Sequence, residues 1–263
     1  MNKKTTVFVV STSLLMPCAA IAQQNQAQEV IEVVAQKRKQ NIQKVGISLT
    51  ALSEKTLNQL DITDTVDITQ QVPNLQLSTW SPNLTIFNLR GISQNSFTDN
   101  LEAPIAVYMD DGYLGSLNAI SGQLFDMKRV EILRGPQGTL FGRNATGGLI
   151  HYLTHVADED YANGYLKLGA GSFDKRELEV AYGNEITEGV RGRIAIRKVQ
   201  ADGYIESALD SGRAVGGADN LSIKAAVQWE LKDDLQLDVI YKYSKDTDVP
   251  TGVILFCPGP RQK

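Results

Sequence analysis

The residues best suited to chemistry are two histidines close together in the sequence. His151 and His155 are the only histidines and stand four positions apart. On a helix this spacing would suit a zinc ion, and a zinc protease would add a glutamate that is absent here. In the strand-like run that holds them, residues four positions apart share a face but lie about 13 Å from each other. The spacing therefore argues against a metal site, and we expect none.

Two further groups invite an enzymatic interpretation. Asp110 and Asp111 form a paired carboxylate, but Gly112 follows directly, which is typical of a turn. The glycine-rich run from Gly135 to Gly148 lacks the Gly-Lys-Ser/Thr of a phosphate-binding loop, because Arg143 and Asn144 follow Gly142. No Gly-x-Ser-x-Gly is present. We therefore predict that the protein is not an enzyme and carries no resident cofactor.

Charge and the N-terminus narrow the class of protein. Lys and Arg number 26 against 30 Asp and Glu, a net charge of -4, and no basic run carries interleaved aromatics, so nucleic acid is not an expected partner. A basic start at residues 2–4, an apolar run over Val7–Pro17 and a small-residue site at Ala20–Ala22 predict a secretory signal peptide cleaved after Ala22. Cys257 is then the only cysteine of an exported chain, as a free thiol or half of a disulfide.

Residues from about 35 to 155 mix strands and short helices, which predicts an α+β domain. Its centre is a charged strand around Val130–Leu133 that runs into a glycine loop and then into a second strand over Leu149–Leu153. Ser53 can cap a helix through Leu60. The other elements expected are strands at Val45–Ala51, Leu75–Thr79, Leu84–Leu89 and Pro104–Met109, and helices at Thr65–Gln71 and Ile120–Phe125.

After Asp158 five runs alternate apolar and polar residues, each near the length of a membrane-spanning strand. Gly183–Gly189 and Lys232–Asp234 are short connections, whereas Asp202–Asp219 is long, as in outer-membrane barrels. Aromatic residues near the strand ends fit an interfacial girdle: Trp229, Tyr241 and Tyr243. A soluble β-sandwich would also alternate and stays open as an alternative.

The segment Glu29–Ala35 is short, β-prone and flanked by polar residues. It could be captured by a partner's sheet edge as an added strand. It could equally be an ordinary edge strand of the following domain. Both interpretations stay open on the residues alone.

Four segments resemble one family. Glu29–Ala35 resembles a TonB box. Phe-Asn-Leu-Arg-Gly-Ile at 87–92, Ala-Val-Tyr-Met-Asp-Asp-Gly at 106–112 and Arg-Val-Glu-Ile-Leu-Arg-Gly-Pro-Gln-Gly-Thr-Leu-Phe-Gly-Arg-Asn-Ala-Thr-Gly-Gly at 129–148 resemble signatures of the plug domain of TonB-dependent outer-membrane receptors. The chain thus resembles the TonB box, the plug domain and the first barrel strands of such a receptor. The expected bounds are 1–22 for the signal peptide, 23–40 for a flexible segment with the box, 41–157 for the plug domain and 158–263 for the barrel strands.

The resemblance implies import of a scarce ligand, such as a siderophore-like iron complex or another large nutrient, across the outer membrane. The TonB contact would be made by Val30, Ile31, Glu32, Val33, Val34 and Ala35, through backbone hydrogen bonds. Plug–barrel or intra-plug charge pairing is expected for Arg90, Arg129, Glu131 and Arg134. Backbone packing in a crowded lumen would explain the loop glycines Gly91, Gly135, Gly138, Gly142, Gly147 and Gly148. The implied partners are TonB, outer-membrane lipid and an external ligand.

Five strands cannot enclose a plug, and open strand edges are costly in lipid. The sequence is therefore expected to be the N-terminal part of a receptor, with an incomplete barrel. Ligand selectivity would reside in outer loops and in plug loops such as Ser93–Asn100. The alternative is a soluble periplasmic plug-like module that binds or signals without transport.

Overall fold

The computed structural model describes residues 31–34, 37–81, 84–94, 102–115, 124–157, 163–206, 214–232 and 234–247. The predicted signal peptide, Cys257 and most of the helix expected at Ile120–Phe125 lie outside these residues, as does most of the predicted selectivity loop. Two regions are described below. We call residues 31–157 the α+β domain and residues 163–246 the C-terminal sheet.

A five-stranded sheet forms the middle of the α+β domain, in the order β3-β9-β10-β7-β8. β9 lies between β3 and β10 and is antiparallel to both, whereas β10, the middle strand, runs parallel to β7. Apolar residues occupy both faces of β9 and β10, as expected for strands that are covered on both sides. The five strands are β3 Leu49–Ser53, β7 Ile105–Met109, β8 Gly112–Tyr113, β9 Met127–Arg134 and β10 Gly148–Thr154.

One face of this sheet packs on two helices and a second small sheet. Val130 and Ile150 contact this layer, which contributes Leu57, Ile68 and Leu89. The elements of the layer are α1 Glu54–Gln59, α2 Thr65–Thr69, β4 Leu75–Ser81, β5 Leu84–Leu89 and β6 Ile92–Ser93. Within the described residues, none of these helices is long and apolar enough to cross a membrane.

Two of the three predicted helices are confirmed, and their ends have local causes. Ser53 caps α1 by accepting the Thr56 N–H at 3.4 Å. Asp64 and Asp67 form a capping box at the start of α2. α2 ends earlier than predicted, at Thr69, because the next residues turn more tightly, with the Gln71 N–H bonding the Ile68 carbonyl.

Two sequence predictions in this domain were wrong in detail. The strand expected at Val45–Ala51 begins only at Leu49 and ends at Ser53, and it is preceded by a 3-10 turn over Ile42–Lys44 that Asn41 caps. The glycine loop after β9 contains one helical turn, α3 Gly138–Phe141, which buries Phe141 against the second face of the sheet.

The C-terminal sheet contains five long antiparallel strands in the order β11-β12-β13-β16-β17, which confirms the five alternating runs. β12, β13, β16 and β17 are joined to their neighbours over nearly their whole length. The long connection between β13 and β16 carries a small ribbon, β14 Ile205–Glu206 with β15 Ala214–Val215. The long strands are β11 Asn163–Gly171, β12 Lys175–Thr187, β13 Val190–Ala201, β16 Ala218–Lys232 and β17 Leu235–Asp246.

The polarity of this sheet decides between the two alternatives for it. Its buried face carries Glu179, Arg193, Arg197 and Lys224, the last of these wholly buried. Its outward face exposes apolar side chains, and all three predicted girdle aromatics lie there, among them Trp229. A soluble sandwich would bury the apolar face instead. The arrangement is that of the strands, or wall, of an incomplete β-barrel, in an open sheet.

Candidate functional site

The N-terminal segment lies against the second face of the α+β domain. β1 Glu32–Val33 pairs antiparallel with β2 Gln40–Asn41. Val33 is 1% exposed and packs with Ala106 and Leu149. Residues 32–33 therefore belong to a two-stranded sheet of their own and not to the edge of the five-stranded sheet, and capture by a partner strand stays a prediction. Of the predicted TonB-contact residues, Ile31–Val34 are placed here, while Val30 and Ala35 lie outside the described residues.

A buried ionic contact between the two regions is made by Asp126, directly before β9. Its buried carboxylate accepts hydrogen bonds from Arg193 Nε at 2.9 Å and Nη2 at 2.5 Å, and it forms an ion pair with Lys224. Burial raises the pKa of Asp126, but hydrogen bonding by Arg193 and the charge of Lys224 outweigh it, so the pKa lies below its ordinary value. Asp126 is therefore an anion that neutralises two buried cations of the wall.

Other polar groups complete this contact. Glu179 accepts the Tyr165 hydroxyl at 2.5 Å and the Asp126 N–H at 3.3 Å. Arg197 bonds Glu177 at 2.6 Å within the sheet and the Thr63 carbonyl at 3.2 Å across the interface. We call Asp126, Tyr165, Glu179, Arg193, Arg197 and Lys224 the Asp126 cluster. Sequence reasoning missed it, although the charges of β13 and β16 alternate visibly with apolar residues.

A second contact joins the turn after β7 to the wall. Asp110 accepts the Thr154 N–H at 2.8 Å and pairs with Lys242 of β17 at 2.6 Å. His151 Nε2 contacts the Asp110 backbone carbonyl. Asp110 thus has the predicted turn role and in addition anchors the turn to the C-terminal sheet. Neither histidine joins a metal-binding group within the described residues.

The arginines singled out by the sequence bond within the α+β domain. Arg129 Nε pairs with Glu131 Oε1 at 2.6 Å, which is an intra-domain pair. Arg134 donates to Thr50 Oγ1 at 2.5 Å, and Arg90 to Ser48 Oγ at 3.1 Å. Pairing of Arg90 with an acidic residue of the wall stays a prediction.

Close packing accounts for the last two glycines of the loop. A Cβ on Gly148 would lie 2.4 Å from the Leu133 carbonyl oxygen, and one on Gly147 would lie 2.8 Å from Ile92 Cγ2. Neither position can therefore accept a larger side chain without moving its neighbours. Of the other predicted loop glycines, Gly138 has open space and starts α3, while positive φ is seen at Gly91, Gly135 and Gly142.

A polar cavity of about 280 Å³ lies between α1 and the first two strands of the wall. Glu54 faces His155 there, with their side chains 3.2 Å apart, and the hydrogen bond to His155 lowers the pKa of Glu54. Its other lining residues include Asp61, Asp126, Tyr165 and Lys167. The cavity belongs to the same interface as the Asp126 cluster.

The chain is similar in sequence to known proteins. The family model for the TonB-dependent Receptor Plug Domain matches residues 41–149. The pesticin receptor of Yersinia enterocolitica is 30% identical over 208 residues, covering 78% of this chain and 30% of that protein. The vitamin B12 transporter BtuB of Vibrio vulnificus is 26% identical over 209 residues, covering 71% of this chain and 33% of that protein.

Solved structures show the same fold. The ferric yersiniabactin uptake receptor FyuA from Yersinia pestis superposes with a TM-score of 0.66 at 25% identity, over 75% of this chain and 31% of that one. The ferripyoverdine receptor of Pseudomonas aeruginosa gives 0.67 at 18% identity, over 82% of this chain and 27% of that one. The chain thus spans about a third of the length of the proteins it matches.

Proposed function

Because this chain belongs to the TonB-dependent outer-membrane receptors, we propose that it serves the TonB-dependent import of an external ligand across the outer membrane. Its location is the outer membrane. The observation that carries the proposal is the Asp126 cluster, in which the α+β domain is bound to the charged inner face of a wall whose outer face is apolar.

This attachment has a direct consequence for transport. The buried ion pairs of Asp126 with Arg193 and Lys224 hold the α+β domain, or plug domain, against the inner face of the C-terminal sheet. In that position it would obstruct the interior of the barrel. A ligand can pass only if the domain moves or deforms, and breaking a buried pair is strongly unfavourable. The work has to come from outside the chain. We propose that it comes from TonB, which would pair with residues 30–35 as an added strand.

The proposed ligand is a siderophore-like iron complex or another large, scarce nutrient. The support comes from the relatives, which are named as a pesticin receptor, a vitamin B12 transporter and a ferric yersiniabactin uptake receptor. Outer-membrane lipid is the partner proposed for the outward apolar face of the C-terminal sheet, where Leu168 is 75% exposed.

Fractionation and uptake test the proposal together. We expect the expressed chain in the outer membrane as a heat-modifiable band. Because five strands cannot enclose the domain, uptake of labelled ferric siderophore or cobalamin is measured with these residues joined to the remaining barrel strands of a full-length receptor. Uptake should be present in cells with TonB and lost in cells without it or after a proton uncoupler. A soluble periplasmic protein, or uptake that is the same with and without TonB, would contradict the proposal and favour the soluble module.

A further inference from the structure

Glu131 lies beneath the N-terminal segment at the centre of β9. Its side chain is fully buried, and its neighbours across the sheet are Ala51 and His151. This face of the sheet is the one that Val33 and Phe141 cover. A carboxylate in such a place is unfavourable unless hydrogen bonds satisfy it.

The bonds of Glu131 depend on the segment that covers it. Oε1 accepts the Val34 backbone N–H at 2.9 Å and Arg129 Nε at 2.6 Å. Oε2 has no partner among the described residues, and His151 supplies none because its Nδ1 is unbonded there too. When the segment leaves, the buried carboxylate loses one of these bonds and keeps the one to Arg129.

Both polar groups of the Val34 backbone are hydrogen-bonded. Its N–H donates to Glu131, and its carbonyl accepts the Lys37 N–H at 2.8 Å. An incoming strand needs free backbone groups on the segment that it joins. The docked arrangement therefore withholds Val34 from any partner strand.

We propose that Glu131 is a positioning residue that holds residues 31–34 docked through the Val34 amide and so sets how often this segment is free to pair. The assignment of TonB as the pairing partner rests on the proposed function. The docking equilibrium itself does not, because it belongs to this chain alone.

Accessibility of position 33 measures that equilibrium. Val33→Cys, in a Cys257→Ser background, places a thiol where the docked segment is buried, so a maleimide reacts only with the undocked form. The mature full chain in detergent micelles is used, without TonB and without ligand. Glu131→Gln keeps the shape of the side chain and its acceptor oxygen but removes the charge. The labelling rate should rise about fivefold, as expected when a charge-assisted bond from the Val34 N–H becomes a neutral one.

A second variant approaches the same bond from the other side. Val34→Pro deletes the donor without touching the core, and a proline is compatible with an extended segment. It should raise labelling at least as much as Glu131→Gln, and the double variant should label no faster than Val34→Pro alone, since both substitutions act on one interaction. Glu102→Gln is the matched control, because Glu102 is a surface carboxylate bonded to Arg143 and Asn144.

The outcomes separate clearly. A rise in both variants that does not add, with Glu102→Gln unchanged, supports the proposal. Labelling at the parent rate in Glu131→Gln, additive effects, or an equal rise in Glu102→Gln would overturn it. Circular dichroism verifies folding, and Val34→Pro keeps the test decisive if Glu131→Gln does not fold. Failed uptake in cells would reject the proposed function and leave this measurement intact.

Discussion

The α+β domain and the C-terminal sheet bury opposite kinds of side chain. Within the described residues the domain covers both faces of its central sheet with aliphatic groups such as Ile132 and Leu149, with Glu131 and His151 among the exceptions. The C-terminal sheet buries Arg193 and Lys224 and exposes apolar side chains such as Leu168 and Tyr241. The domain thus hides apolar groups, as a core in water does, whereas the sheet hides charged groups that need partners where they are buried.

Because of this difference, the C-terminal sheet depends on the α+β domain more than the domain depends on the sheet. The domain has an apolar core of its own, whereas the charged inner face of the sheet depends on groups that the domain supplies. Asp126 is the clearest of these groups, because its single carboxylate serves two cations. The changes below either break this asymmetry or measure it more finely.

Asp126→Ala should have the largest effect. It leaves Arg193 and Lys224 buried without their anion, and breaking such a pair typically costs about 3–5 kcal/mol. The free energy of unfolding in denaturant measures this loss. Asp111→Ala, at an exposed neighbour of the second anchor, should stay within about 0.5 kcal/mol. Equal effects of the two substitutions would show that the sheet does not depend on Asp126.

Val239→Arg tests the outward face. Val239 is 53% exposed on β17, and an arginine facing lipid near the bilayer centre costs about 2–4 kcal/mol. The same substitution at Val66, exposed on α2 of the domain, should change stability by at most about 0.5 kcal/mol. Folding into lipid vesicles followed by denaturant titration gives both numbers. A neutral Val239→Arg would mean that this face does not contact lipid.

Acid should weaken the interface through Asp126. Its folded-state pKa lies below the unfolded value, so between these values the unfolded chain binds more protons and stability rises with pH. The contribution is complete above the ordinary aspartate pKa of about 3.9 and is lost as pH falls through the folded pKa. Asp126→Asn should therefore flatten the decline in unfolding free energy below about pH 4. An unchanged slope would contradict the ion pair.

Ser53→Ala should have the smallest effect and should stay within the domain. Removing an N-cap hydroxyl costs about 1 kcal/mol. Hydrogen exchange should accelerate in α1 and β3 while the strands of the C-terminal sheet keep their protection. Exchange that accelerates equally in the sheet would show that the two regions unfold as one unit rather than as unequal partners.

The sequence predicted best what depends on neighbouring residues. β5 at Leu84–Leu89, the Ser53 cap and the five alternating strands follow from spacing and local chemistry. The turn at Asp110 was recognised for the same reason, but its pairing with Lys242 was not.

Pairing over long sequence distances was beyond such reasoning. Asp126 stands in a short link before β9, and Arg193 is 67 residues further along the chain. Periodicity assigns Arg193 to the inward face of β13 but does not say which anion it meets. The docking of Val34 on Glu131 could not be predicted for the same reason, because the residues next to each of them in the sequence do not indicate the pairing.

β9 connects the two ends of this molecule mechanically. Val34 is bonded to Glu131 in the middle of the strand, and Asp126 stands directly before its first residue. β9 is also laced to β3 on one side and β10 on the other. A pulling force on the N-terminus is transmitted to β9 for as long as the Val34–Glu131 bond holds. There it acts on the hydrogen bonds between β9 and its two neighbours. Beyond the first residue of β9, the ion pairs of Asp126 with Arg193 and Lys224 resist it.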